Sequence, residues 1–234
     1  MKIRAYLALM VLAIFIPIFI VAALALAKIQ REERDASLRG LKETARAVSL
    51  IVDREVQGSL SALQVLGNSE HLETGNLKAF YAQAAALDRP DVWTVLLDAS
   101  GTQLLNTRVP FGTAAPPPVA LARVTQVIAT QKPLISDLVV GLVTGTLLTS
   151  IYVPARSAGG KKFVVAQAFG VGLWKRVSLQ KALPPSWIVG LIDLGGRFIA
   201  RSHKTEELLG KLARHELVSA AAAAHDGLIR HPTV

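Results

Sequence analysis

Trp93-Thr94-Val95-Leu96-Leu97-Asp98-Ala99-Ser100-Gly101-Thr102-Gln103-Leu104-Leu105 reads as a β-hairpin. Val92 to Asp98 is apolar and β-rich. It ends in Asp98-Ala99-Ser100-Gly101, a turn in which the aspartate bonds its own backbone and the glycine takes positive φ. Thr102 to Thr107 is the return strand. The same text recurs as Trp187-Ile-Val-Gly-Leu-Ile-Asp193-Leu-Gly-Gly196-Arg-Phe-Ile, again a tryptophan, an apolar strand, Asp-x-x-Gly and an apolar return. The two aspartates lie 95 residues apart, the length of one small domain, which points to two related modules.

Outward from the first hairpin, Pro110 to Pro118 holds four prolines and a glycine and is a loop, and Val119 to Thr130 is a short helix. Pro133–Gly141, Thr146–Pro154 and Phe163–Val171 are three further strands, so an antiparallel sheet is expected over residues 92–171. Leu138 to Ala155 carries no charge, but Gly141, Gly145, Pro154 and its threonines suit two strands around a turn better than a membrane span. After the second hairpin, Glu206 to Ala224 reads as a helix.

Upstream, Leu38, Leu41, Ala45, Val48, Val52, Val56, Leu60, Leu63 and Leu66 recur at spacings of three and four, which predicts one helix from Arg31 to Leu66. Glu70 to Leu87 is a second helix, closed by Arg89-Pro90. Ala5 to Ala27 has no charged side chain; as a helix it spans roughly 34 Å, against a bilayer core of about 30 Å. With Lys2 and Arg4 before it, the expectation is a membrane anchor, with Met1 cytoplasmic and residues 28–234 across a bacterial inner membrane in the periplasm. Ala25-Leu26-Ala27 also fits a signal-peptide cleavage site, the competing reading.

The expected class is therefore α+β: a cytoplasmic N-terminus (1–4), an N-terminal transmembrane helix (5–27), a long stalk helix (28–70), an antiparallel-sheet module (71–183) and the start of a second (187–234). These residues resemble the double Cache (PDC-type, PAS-like) sensor region that precedes the transmitter in bacterial membrane sensor histidine kinases. The matching text is Leu104-Leu-Asn106-Thr107-Arg108-Val-Pro110-Phe-Gly112-Thr, Pro133-Leu-Ile-Ser136-Asp137-Leu-Val-Val-Gly141, Ser150-Ile-Tyr152-Val-Pro154, and Trp187 to Asp193 through Ala200-Arg201-Ser202, over about residues 30–215. The resemblance implies a periplasmic sensory region that binds a small molecule and relays to a transmitter, with a histidine kinase or diguanylate cyclase as the full-length parent. The rest of the second module, a second membrane helix and an output domain are not in this text, so on that reading the chain is truncated. The spaced Tyr, Arg, Trp and Asp motif of the family's amino-acid-binding subgroup is not found here. The alternatives are an exported anchored enzyme or transport component, or a non-signalling fragment.

Several chemistries are excluded. There is no cysteine and hence no disulfide; the net charge of +9 comes from scattered Lys and Arg with no basic run interleaved with aromatics, which argues against nucleic acid. Ser178-Leu-Gln-Lys181 lacks the companion motifs of penicillin-recognising enzymes. His215-Glu216-Leu217 has only 17 residues after it, too few for a kinase, and Gly170-Val-Gly172 lacks the third glycine of a dinucleotide fingerprint. His71, His203, His215, His225 and His231 have no metal-ligand pairing, so no cofactor, metal or catalytic residue is assigned. The candidate ligand-binding residues are Arg108, Tyr152, Asp137, Ser136, Trp93 and Asn106. Arg108 leads, because a guanidinium fixes a carboxylate bidentately and the basic balance favours a small anionic ligand. The other expected partners are the inner membrane and a second copy of the chain, met along the stalk stripe.

Overall fold

Alternation along residues 92–98 sets the architecture, because successive strand side chains point to opposite faces. The computed structural model describes residues 2–118, 120–156, 159–178, 184 and 187–223, with the side chains of residues 2, 4–9 and 11–14 outside that description. Helix α1 runs Lys2–Gly67, with Pro17 inside it. The chain divides into two compact units, residues 1–47 and 48–234.

The second unit holds the sheet. Strands β1 (Val92–Asp98), β2 (Gln103–Asn106), β3 (Leu134–Ile135), β4 (Val139–Val140), β5 (Leu147–Arg156) and β6 (Lys162–Gly170) lie in the order β2-β1-β6-β5-β3, with β4 also pairing β5. Every pairing is antiparallel. One face carries Val92, Leu96, Ile151, Val153, Val165 and Phe169 into a core with Leu63 and Leu66 of α1, and with Phe80 and Ala84 of α3 (Leu77–Ala85). The same core takes Leu173, Trp174 and Val177 of α5 (Val171–Ser178). The other face carries Trp93, Val95, Leu97, Leu148, Tyr152, Val164, Ala166 and Ala168 toward Val124 and Val127 of α4 (Leu121–Thr130).

The second hairpin is β7 (Gly190–Ile192) and β8 (Phe198–Arg201), a separate two-stranded sheet. The two Asp-x-x-Gly turns are built alike. Gly101 N–H donates to Asp98 O and Gly196 N–H to Asp193 O, each at 3.0 Å, and the two glycines sit at φ +80° and +79°, a conformation glycine adopts without steric cost. Each hairpin also shifts register just before its aspartate. The second hairpin is tied to the main core, since Ile199 and Ala200 are buried in it and Asp193 accepts from Leu138 N–H at 3.0 Å.

Several expectations are revised. The helix foreseen over Glu70–Leu87 is split into α2 (Glu70–Glu73) and α3, because Gly75 at φ +74° breaks it and Asn76 caps the new start, its side chain accepting from Ala79 N–H at 3.1 Å. The strand foreseen over Pro133–Gly141 is two pairs of residues, β3 and β4, parted by residues 136–138. The helix foreseen over Glu206–Ala224 is α6 (Thr205–Leu208) and α7 (His215–Ala223), because residues 210–213 instead hydrogen-bond along β8. Lys181 of the S-x-x-K text, His225 and His231 lie outside the described residues.

The transmembrane helix is the main correction. Ala5–Ala27 is helical within α1, yet among the described residues no helix is long and apolar enough to cross a membrane. The single-pass inner-membrane placement of residues 28–234 loses its structural basis with it.

Candidate functional site

Register creates a hollow on the α4 side of the sheet. In one row Ala168 of β6 lies between Trp93 of β1 and Ser150 of β5; in the next, Ala166 lies between Val95 and Tyr152. Two alanines in the central strand leave a trough where Val165 and Phe169 fill the opposite face. Helix α4 and the turn after β4 wall it in part, leaving a half-open cavity of about 270 Å³. Its floor is Trp93, Val95, Leu97, Leu148, Ser150, Tyr152, Ala166 and Ala168; its sides are Gln103, Asn106, Arg123 and residues 139–144. A second cavity of about 260 Å³ shares Gln103, Asn106, Leu142 and Val143 with it and runs under the proline-rich loop from Val109 to Pro116.

The cavity's polar groups fall into two sets. Asn106 is spent on its own loop, donating from Nδ2 to Gln103 Oε1 at 3.2 Å and accepting from Arg108 N–H at 3.0 Å. Ser150 and Tyr152 are 4% and 6% exposed, and neither hydroxyl has a hydrogen-bond partner among the described residues. The half-buried Arg123 guanidinium likewise has no hydrogen-bond or ion-pair partner there. Neither hydroxyl oxygen is among the fully buried unpartnered side-chain atoms of the described residues, so both open on the hollow, and with Arg123 they present two donors and a cation to whatever enters it.

Of the six sequence candidates, Trp93, Asn106 and Tyr152 line the cavity, and Arg108, Ser136 and Asp137 are not among its lining residues. Arg108 is exposed, with its guanidinium 5.5 Å from the centre of the Trp93 ring. Its charge also acts on Asp88. Burial pushes that carboxyl above its usual 3.8, and the Thr107 hydroxyl (donating at 2.8 Å), the backbone and Arg108 oppose the rise only in part. Ser136 extends the β3–β5 pairing, donating N–H to Ser150 O at 2.8 Å and accepting Ser150 N–H on Oγ at 2.9 Å. Asp137 is exposed.

Arg123 and Ser150 were not singled out from sequence. The available signal for Arg123 is that it is the lone charged residue of α4, next to the buried Val124. For Ser150 it is a polar residue two places before Tyr152, hence on the same strand face.

No family model matches the chain, and no curated protein matches it. Solved structures do. The ligand-binding domain of the Pseudomonas aeruginosa amino-acid chemoreceptor PctC, in complex with GABA, aligns at TM-score 0.52 and 16% identity, covering 81% of this chain and 82% of that one. The ligand-binding domain of the Campylobacter jejuni chemoreceptor Tlp3, in complex with L-valine, aligns at TM-score 0.58 and 11% identity over 81% and 80%. That of the Pseudomonas fluorescens chemoreceptor CtaA, with L-isoleucine, aligns at 0.54 and 14% over 80% and 75%. At these identities the likeness is one of fold: the chain has the fold of these three ligand-binding domains.

Proposed function

We propose that the chain is an extracellular sensory ligand-binding domain that takes a small anionic molecule into the cavity between the sheet and α4. The observation that carries this reading is the set of unpartnered polar groups, Arg123, Ser150 and Tyr152, around one hollow whose floor is otherwise mostly apolar. Trp93 and Asn106 complete the proposed site, and Arg108 acts on the ligand through Trp93 alone. A ligand relays by favouring one arrangement of the domain over another, and only to the extent that its affinity for the two differs.

The test is a thermal-shift screen of small carboxylates against the full chain. A ligand that binds only the folded state, at about 100 times its dissociation constant, adds roughly 2.7 kcal/mol, which is about 5–10 °C for a domain of this size. At least one such shift is expected, abolished in Arg123→Gln and reduced less in Arg108→Ala. No shift with any anion refutes the reading.

We also propose that two copies associate along the α1 stripe at Leu38 and Leu41. Leu41 is 43% exposed. A Leu41→Cys variant is expected to form disulfide-linked dimers under mild oxidation, and cysteines placed around the whole turn that crosslink equally would contradict a specific interface.

A further inference from the structure

The cavity's charge inventory is one-sided. Arg123 is the only charged residue among its described lining residues; no aspartate or glutamate lines it. The carboxylates nearest in sequence to the lining strands are committed elsewhere. Asp88 accepts from Thr107, Asp91 pairs with Arg176 at 2.6 Å, Asp98 accepts from Ser100 and Thr102, and Asp193 accepts from Leu138 and Arg197. Asp137 is exposed and outside the lining. The second nearby cation, Arg108, stacks over Trp93 from outside the lining.

We infer that the site selects an apolar monocarboxylate without an amino group and rejects the corresponding free amino acid; this rests on the ligand-binding reading above. A carboxylate head finds the Arg123 guanidinium and the donating hydroxyls of Ser150 and Tyr152, the partners a buried anion needs. An α-ammonium in the same place finds no counter-charge and stands beside a guanidinium. It loses hydration without gaining an ion pair and is repelled. One cation matches one carboxylate, so a second carboxylate on the ligand is uncompensated too. The rest of the floor, Val95, Leu97, Leu148, Ala166 and Ala168, fits a hydrocarbon tail, and the alanine trough gives it width. At about 270 Å³ the hollow has roughly the volume of nine liquid waters, the scale of a branched or ring-bearing acid. The solved neighbours hold GABA, L-valine and L-isoleucine; on this inference the chain has kept their fold and changed the ligand class.

The experiment is isothermal titration of the full chain at neutral pH with matched pairs: 4-methylpentanoate against L-leucine and 3-phenylpropanoate against L-phenylalanine, with glutarate and 3-methylbutylamine as charge controls. At least one deamino acid is expected to bind, and its amino partner to bind at least 30-fold more weakly, with glutarate and the amine weaker still. Arg123→Gln should lose at least tenfold in affinity for the acid. Tyr152→Phe, which removes one donor and keeps the ring, should lose several-fold and guards against an Arg123 variant that does not fold. An amino acid that binds as tightly as its deamino partner overturns the inference and leaves the ligand-binding reading standing. Undiminished acid binding in both variants overturns the placement. Binding by no member of the panel overturns both.

Discussion

Asp193→Ala is the sharpest perturbation of the join between the second hairpin and the main sheet. Asp193 is 8% exposed; Oδ2 accepts from Leu138 N–H at 3.0 Å and Oδ1 from Arg197 N–H at 2.7 Å. The first bond spans from the β3–β4 connection to the β7–β8 turn, and the second closes the turn itself. A hydrogen bond to a charged acceptor contributes about 1.5–3 kcal/mol. Arg197 is exposed and Leu138 half-buried, so water recovers part of the loss, leaving a cost of about 2–4 kcal/mol to local opening. At 1.4 kcal/mol per factor of ten, that is roughly 30- to 700-fold faster amide exchange. Hydrogen exchange resolved by residue should show this acceleration across Gly190 to Arg201, while β5 and β6 change by less than about threefold. Asparagine retains one acceptor oxygen and should show the smaller part of the effect. Unchanged exchange in β7 and β8, or an equal rise in both sheets, would refute the idea that this carboxylate is a local clasp.

Two further outcomes follow from single contacts. Trp174 donates from Nε1 to Thr149 Oγ1 at 2.9 Å, and its ring lies 5.5 Å from that of Phe169; Trp174→Phe should lower unfolding stability by about 1–3 kcal/mol in urea denaturation, and a loss under about 0.5 kcal/mol would contradict the packing described. Asp88, raised above 3.8 chiefly by burial, binds its proton more tightly folded than unfolded, so its contribution is present below pH 3.8 and lost as pH rises through the raised value. Asp88→Asn keeps the acceptor for Thr107 and should flatten the stability decline of the wild type above pH 3.8; parallel curves would refute it. Asp98 has the opposite sign. Burial works to raise it, but hydrogen bonds from Ser100 and Thr102 outweigh burial and hold it below 3.8, so its stabilisation is lost as pH falls through that lowered value.

The fold was legible where the local signal and the tertiary partner agree. Asp98-Ala99-Ser100-Gly101 specifies its turn by side-chain bonding and positive φ, both local, and the structure has that turn. Strands β5 and β6 were legible as apolar runs. The fates of residues 136–138 and 210–213 were not, because each is decided by a distant partner: Asp193 for the first, the edge of β8 for the second. The same division runs through the site. Trp93 and Tyr152 were legible because aromatic residues on strands stand out, whereas Arg123 sits on a helix whose charged residue reads as solvent-facing until the trough beneath it is known. Arg108 attracted the ligand assignment by its neighbourhood in sequence, and it is the stacking on Trp93 that places it beside the cavity instead of in its lining.

The occupancy of the cavity is tested most directly by fluorine NMR of the full chain with its three tryptophans, Trp93, Trp174 and Trp187, fluorinated and assigned by single Trp→Phe variants. Only Trp93 lines the cavity, while Trp174 packs on the opposite face of the sheet. Titration with the tightest-binding carboxylate is predicted to shift the Trp93 resonance saturably, with the midpoint found by calorimetry, and to leave Trp174 in place. A saturable shift at Trp174 or Trp187 with Trp93 unmoved would contradict the site.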